Sequence, residues 1–256
     1  MSPFQKLNIL FAVLAIVLLC LVFTLGYSPW WMLLLAFVYF SITAYFSWDI
    51  QFDFHLKTHN KGETDEKVIA ITFDDGPTEL TPDVLSVLEK YDAKATFFCI
   101  GQQIEKHPDI LKQVYDAGHI VGGHSFSHGS LYDFLPAKQM IAEADKTDDL
   151  IEAAIGKRPN LFRPPYGITN PAVKKTVQSK GYETIGWSIR SFDTVNKNPE
   201  GVSNKVIKKL HPGAIVLFHD NHDRIIPVLE RTLQAVQAAG YKVVSLDQLL
   251  NLKAYA

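Results

Sequence analysis

Two apolar runs open the chain. Leu7 to Leu25 is 19 almost uninterrupted apolar residues, and at about 1.5 Å of rise per residue a helix of that length crosses a bilayer core. Gly26-Tyr27-Ser28-Pro29 breaks the run, because glycine caps a helix and proline does not continue one. Trp30 to Phe46 is a second, shorter run, flanked by Trp30, Trp31 and Trp48, where the headgroup layer favours amphipathic rings. The pattern predicts a membrane anchor over residues 1–48, a transmembrane hairpin of two helices spanning about 7–25 and 30–46. One span followed by an interfacial helix is the alternative. A cleaved signal peptide fits less well: the apolar core is too long, and no Ala-x-Ala-like site precedes the second run.

After a linker at 49–65, short β-branched or aromatic runs alternate with helical patterns. The strands expected are Val68–Phe73, Ala95–Ile100, His119–Gly122, Leu161–Arg163, Glu183–Ile189, Ala214–Phe218 and Lys242–Leu246. Thr81-Pro82, His107-Pro108 and Asn170-Pro171 read as helix starts. Gly118, Gly156, Gly181 and Gly240 each sit where a left-handed C-cap is needed. Strand–helix alternation in short units implies parallel neighbours, which require crossovers. An open doubly wound sheet and a small (β/α) barrel both fit. The chemically suggestive residues follow several different strand ends, which favours a barrel over an open sheet with one switch point. The fold class expected is therefore α/β: a distorted, incomplete (β/α) barrel of about seven strands preceded by the hairpin.

Charge sharpens the boundary. Lys6 is the only charged residue before Asp49, and the remaining 51 charges fall within 208 residues, the density of a soluble domain. One globular domain, residues 66–256, thus follows the apolar segment, which excludes a polytopic transporter and a disordered chain. A net charge of −2 gives no basic footprint, so nucleic acid is not expected as a partner. With only Cys20 and Cys99, there is no disulfide framework and no Cys-rich zinc module, and a metal site must use histidine and carboxylate.

The first strand ends Phe73-Asp74-Asp75-Gly76-Pro77, and adjacent acids on a strand point to different faces and can take different roles. The third opens into His124-Ser125-Phe126-Ser127-His128; two histidines four apart, one helical turn, can share a metal. With Asp75 they would leave coordination positions open, as a catalytic site requires. The fourth gives Arg163-Pro164-Pro165-Tyr166-Gly167, a stiff loop whose first free N–H is that of Tyr166 and suits a developing oxyanion. The sixth places His219 at its C-terminal end. Taken singly, each has a plain alternative: a polar turn, surface histidines, a loop with a stray arginine, a structural histidine.

Together, in this order, Thr72-Phe73-Asp74-Asp75-Gly76, His124-Ser125-x-x-His128, Arg163-Pro164-Pro165-Tyr166 and Leu217-x-His219 resemble the polysaccharide deacetylases of carbohydrate esterase family 4, which share the NodB homology domain. The resemblance spans about residues 66–250 and implies a metal-assisted amide hydrolase on a distorted (β/α) barrel. It implies Asp75, His124 and His128 as ligands of a divalent metal, Zn2+ first, with Co2+, Mn2+ or Ni2+ as alternatives. It further implies Asp74 as general base, oriented by Arg163. Tyr166 N–H would be an oxyanion donor, Leu217 a wall for the acetyl methyl, with Pro165 beside them in the substrate-binding loop. His219 would be the general acid, tuned by Asp193.

One motif departs from the pattern. Where the family often reads Asp-x-x-Asp-Trp, this chain has Arg190-Ser191-Phe192-Asp193-Thr194, so Arg190 replaces an acid and Thr194 a tryptophan. The departure bears on substrate choice: Arg190 either meets an acidic sugar or phosphate or is a solvated surface residue. The function expected is removal of N-acetyl groups from an amino-sugar glycan of the cell envelope, releasing acetate. Deacylation of a lipid-linked amino sugar, O-acetyl ester hydrolysis, and a lapsed hydrolase serving as a sugar-binding module are the alternatives. The partners implied are the acetylated glycan or lipid-linked sugar and membrane lipid. The preferred location is the cell membrane with the catalytic domain outside the cytoplasm; the cytoplasmic face stays open, since Lys6 is a thin positive-inside signal.

Overall fold

The computed structural model describes residues 1–256. The chain runs through α1 (Pro3–Leu25), α2 (Trp30–Ser47), β1 (Val68–Asp74), α3 (Thr81–Lys90), β2 (Ala95–Cys99), α4 (Gly101–Lys106), α5 (Pro108–Asp116), β3 (Ile120–Gly123) and α6 (Ala137–Ile155). It continues with β4 (Leu161–Phe162), α7 (Pro171–Lys180), β5 (Glu183–Thr184), β6 (Ile189–Arg190), α8 (Pro199–Lys208), β7 (Ala214–His219), α9 (Ile225–Ala238), β8 (Lys242–Val243) and α10 (Leu246–Leu250).

Helix α1 starts four residues before the apolar run, because Ser2 and Gln5 form a capping box and Pro3 occupies the first turn. Gly26, at φ 70°, ends it in the left-handed conformation. The two helices pack through Phe11 and Tyr39, whose ring centroids are 5.3 Å apart, and Tyr39 Oη–H donates to Asn8 Oδ1 at 2.8 Å. Both are long and apolar enough to cross a membrane, and neither buries a residue within the protein.

The strands are parallel and ordered β5-β4-β3-β2-β1-β7-β6, with β8 added beside the start of β1. This is a curled half-barrel of seven strands. Its central strands are buried almost throughout, as expected of a parallel sheet covered on both faces. Ile69, Ile71 and Phe73 pack outward with Phe97, Val216 and Phe218 against the helices. Ala70, Phe98, Leu161, Ile215 and Leu217 fill the inside with Ile50, Trp187 and Leu246.

The expected fifth strand, Glu183–Ile189, is not one strand. It divides into β5, which pairs with β4, and β6, which pairs with β7 on the opposite edge of the sheet. Between them Ile185 N–H still donates to Phe162 O, and Ser188 N–H already donates to Ile215 O. The segment crosses the gap that a complete barrel would close with further strands. A run of apolar residues reads the same whether it pairs with one neighbour or changes neighbours midway. Residues 59–62 line the same gap: His59 N–H donates to Thr184 O, Gly186 N–H to His59 O, and Gly62 N–H to Gly213 O. The last expected strand is also shorter, because Leu246 begins α10.

Candidate active site

Alternation along β1 turns Thr72 and Asp74 toward the barrel interior, and register pairs Thr72 with Leu217 and Asp74 with His219. The proposed base and acid are therefore lateral neighbours on adjacent central strands. Behind Asp74, the fully buried Arg163 donates from Nη1 to Asp74 Oδ1 (2.7 Å) and to Thr72 Oγ1 (2.9 Å). Its Nε and Nη2 donate to Ile185 O and Gly186 O, and the guanidinium lies 4.2 Å from the centre of the Phe98 ring. Burial pushes the guanidinium below its ordinary value while Asp74 opposes that shift.

Asp75 lies past the end of β1 with φ 76°, and so does not alternate to the far face. Contrary to the strand-face expectation, both acids line the same cavity, of about 270 Å³, at the C-terminal ends of the strands. The two histidines also reach it without a helical turn. Residues 124–128 are an irregular loop, with Ser125 at φ 63° and His128 at φ 47°. Glu143 of α6 holds this loop, accepting from Phe126 N–H, Ser127 N–H and Ser127 Oγ–H. It stands 16 residues from Ser127, too far for a local motif to signal its part.

The atoms of Asp75, His124 and His128 able to ligate lie within 4.8 Å of one another. His124 Nδ1 sits 2.7 Å from Arg163 O, so it carries the proton and directs Nε2 into the cavity. Burial pushes the His124 imidazole below its ordinary value, against the opposing charge of Asp74, and so favours the neutral form that a ligand requires. Asp75 Oδ1 is buried without a hydrogen-bond partner, 3.7 Å from His124 Nε2 and 3.5 Å from His128 Nε2. Bonds of about 2.0–2.1 Å at tetrahedral angles set ligand atoms about 3.3 Å apart. The orphaned oxygen and its spacing fit a divalent cation.

Opposite this cluster, His219 Nδ1–H donates to Asp193 Oδ1 at 2.9 Å, and His219 N–H donates to Asp193 Oδ2 at 2.7 Å. Burial pushes the imidazole down, but the Asp193 hydrogen bond and charge outweigh it and hold the group at about 9. Burial raises the Asp193 carboxyl, yet hydrogen bonds from His219 and Ser191 and the His219 charge bring it well below the usual carboxylate range. His222, which the sequence reading passed over, places Nε2 3.4 Å from Asp193 Oδ2; the His219-x-x-His222 spacing was the available signal. Asp220 is buried, accepts from Thr81 Oγ–H, and is pushed up to about 7 by burial.

Tyr166 has φ 59°, and its N–H has no protein acceptor, whereas the next two amides donate to Pro164 O and Pro165 O. Leu217, Arg190 and Thr194 line the cavity; Pro165 is buried and does not. The Arg190 guanidinium lies 5.6 Å from the Trp187 ring and 5.1 Å from that of Phe192. Five of the eight non-glycine residues with positive φ, Asp75, Ser125, His128, Tyr166 and Phe192, fall in these loops. Such strain persists only where surrounding structure over-determines it. Gly167, at φ 70°, leaves no room for a β-carbon beside the Trp187 indole. Gly167→Ala is expected to destabilise the fold by about 2–5 kcal/mol through left-handed strain and overpacking, read as a lowered midpoint of thermal unfolding. An unchanged midpoint contradicts the tight Gly167–Trp187 contact.

The sequence profile described as polysaccharide deacetylase matches residues 61–185. A Bacillus cereus protein named peptidoglycan-N-acetylglucosamine deacetylase is 36% identical over 219 residues, covering 82% of this chain and 95% of that protein. A Bacillus subtilis peptidoglycan-N-acetylmuramic acid deacetylase is 36% identical over 194 residues, 74% of this chain and 73% of its own length. The crystal structure of a peptidoglycan N-acetylglucosamine deacetylase bound to an N-oxidanyl-benzamide superposes with a TM-score of 0.73 at 26% identity, covering 77% of this chain and 94% of that one. Sequence relatives of this likeness and extent, together with a solved structure of the same half-barrel, make the chain a member of the polysaccharide deacetylases of carbohydrate esterase family 4, hydrolases of carbon–nitrogen bonds other than peptide bonds.

Proposed function

We propose that the protein removes N-acetyl groups from amino sugars of peptidoglycan, releasing acetate and a free sugar amine, with a divalent cation held by Asp75, His124 and His128. The observation that carries this reading is the pairing of Asp74 with His219 in one register position beside that ligand cluster. A base and an acid on two sides of one carbonyl are what amide hydrolysis requires. When bound, the cation supplies Lewis-acid polarisation of the acetamide carbonyl and lowers the pKa of water; Zn2+ suits the nitrogen and oxygen donors, and Co2+, Mn2+ and Ni2+ remain alternatives.

The protein groups divide the remaining work. Asp74 Oδ1 is engaged by Arg163, which leaves Oδ2 to take a proton from the attacking water. The Tyr166 N–H, without another acceptor, donates to the oxyanion as the carbonyl carbon becomes tetrahedral. Leu217 meets the acetyl methyl. His219, with Nδ1–H committed to Asp193, keeps Nε2–H for the leaving amine, so the nitrogen departs neutral as the C–N bond breaks. As acetate leaves, its carboxyl proton restores the His219 imidazolium, and the proton taken by Asp74 passes to the freed amine or to solvent, which returns both groups to their starting states.

A second substrate reading rests on Arg190, an exposed cation on the cavity wall. It favours an N-acetyl sugar bearing a carboxylate, as muramic acid does, over a neutral glucosamine unit. The two are separated by acetate release from peptidoglycan, neutral chito-oligosaccharides and muramic-acid-containing glycans, with acetylxylan and a lipid-linked amino sugar as further substrates. Activity is expected on peptidoglycan, to fall by about 10²-fold or more after chelation, and to return with Zn2+. Undiminished acetate release from protein shown by elemental analysis to lack metal overturns the proposed role of the cation.

A further inference from the structure

The α1–α2 hairpin is docked on the catalytic domain rather than tethered to it, and it docks beside the cavity. Ser47, the last residue of α2, accepts through its carbonyl from Thr169 N–H at 3.0 Å, and Thr169 stands two residues past Gly167 in the loop after β4. Ser47 Oγ lies 2.8 Å from the Nε2 of the buried His55. The Phe46 ring stacks on Phe54 at 5.4 Å, and Phe4 N–H donates to Phe54 O. Both domain-side ends of the hairpin are thus fixed, and the Gly26–Pro29 turn lies at the far end of two helices.

Next to this joint is an apolar rim. Asn170 Nδ2–H donates to Asp133 O at 2.8 Å, tying the turn Tyr132–Phe134 to the residue after Thr169. Tyr132 is buried in one cluster with Leu56 and Val173. Its neighbours point outward: Leu131 is 68% exposed and Phe134 84% exposed. Trp48, 72% exposed, stands at the joint itself, and an indole in that position marks the headgroup level of a bilayer. The rim belongs to the catalytic loop. Leu131 is three residues past His128, Tyr132 N–H donates to Gly129 O, and Tyr166 Oη–H donates to His128 O.

We propose that Leu131 and Phe134 rest in the lipid surface that receives the hairpin, holding the mouth of the cavity at the headgroup layer. The proposal rests on the reading of α1 and α2 as a membrane anchor. Lipid is the occupant because the rim is joined, through Asn170, Thr169 and Ser47, to the domain-side end of two apolar helices in which no residue is buried, with the exposed Trp48 at the joint. Large apolar side chains left bare beside such helices match the amphipathic boundary of a bilayer.

The test uses the full chain in nanodiscs of phosphatidylethanolamine and phosphatidylglycerol, with nitrobenzoxadiazole attached to single cysteines and lipids carrying a doxyl quencher. The native Cys20 of α1 is exposed and reports the hairpin; Cys99 is buried and stays unlabelled. In a Cys20→Ser background, Phe134→Cys reports the rim, and Gln237→Cys, near the end of α9, reports the opposite end of the barrel. Each labelled protein is first checked for acetate release. Quenching is expected at 20 and at 134, with position 134 quenched several-fold more than position 237. Quenching at 20 with 134 no different from 237 overturns the rim contact while leaving the anchor standing. Absence of quenching at 20 overturns the anchor reading, and the rim proposal with it. A blue-shifted but unquenched label at 134 means that protein, not lipid, covers the rim, and also overturns it.

Discussion

Asp74→Asn is expected to lower kcat for acetate release by about a thousand-fold or more while leaving metal affinity within a few-fold of the parent. A positioned base contributes about 10²–10⁴-fold, and no other carboxylate in the cavity is free to replace it, since Asp75 faces both ring nitrogens. Asparagine is the informative replacement because its carbonyl oxygen still accepts from Arg163 Nη1, the bond now made to Asp74 Oδ1. Alanine would leave a fully buried guanidinium without its partner, at a cost of about 3–5 kcal/mol, and would mix misfolding with lost chemistry. Metal titration and kcat measured on one preparation separate the roles. Retention of more than about a tenth of kcat, far above the loss expected of a missing base, removes Asp74 from the base position.

Asp193→Asn is expected to cost about 10²-fold in kcat/KM near pH 8 and to draw the alkaline limb of the pH profile toward acid. His219 has its folded pKa raised from 6.5 to about 9. The imidazolium therefore persists through neutral pH and loses its proton as pH rises through about 9, so activity falls on that side. With Asp193 neutralised, burial works against the imidazolium with only Asp74 and Asp75 left to favour it, and the limb moves down by more than about one pH unit. Stability follows the same sign. The His219–Asp193 pair contributes in full below pH 6.5 and its contribution fades as pH rises through about 9. Asp193, held below its ordinary value, loses its own contribution only in strong acid. A loss of activity with an unmoved limb would falsify the tuning role and leave a purely structural one.

How much of this was legible in the residues depends on the range over which each feature is set. Apolar strands, proline starts and glycine stops are local, and the half-barrel follows from them. The residues that the structure brings together at the candidate site were legible too, because Asp74-Asp75, His124 with His128, Arg163 and His219 each sit at or just past the end of an apolar strand. What the sequence hid is long-range or irregular. The left-handed backbone at Asp75, His128 and Tyr166 contradicts the simple strand and helix geometries that spacing suggests, and it is imposed by neighbours such as Glu143, remote in the chain. His222 was visible as a histidine but not as a neighbour of Asp193, since that contact needs the loop after β6 to fold back onto the end of β7.

The crossing segment from β5 to β6 bears on how this fold can diversify. Trp187 and Arg190 sit on the stretch that runs from one edge strand of the sheet to the other, and the buried Arg163 ties its carbonyls at Ile185 and Gly186. Residues that shape the cavity wall are thus also the fastening of the half-barrel. The solvent-exposed side chains of the cavity wall, Arg190 at the end of this strip and Thr194 in the loop after it, take no part in the fastening and are free to vary. Those buried within it, such as Trp187, are held by the fastening itself, so new specificities in this lineage are expected to arise at exposed positions at and just past the end of a single short strip of chain.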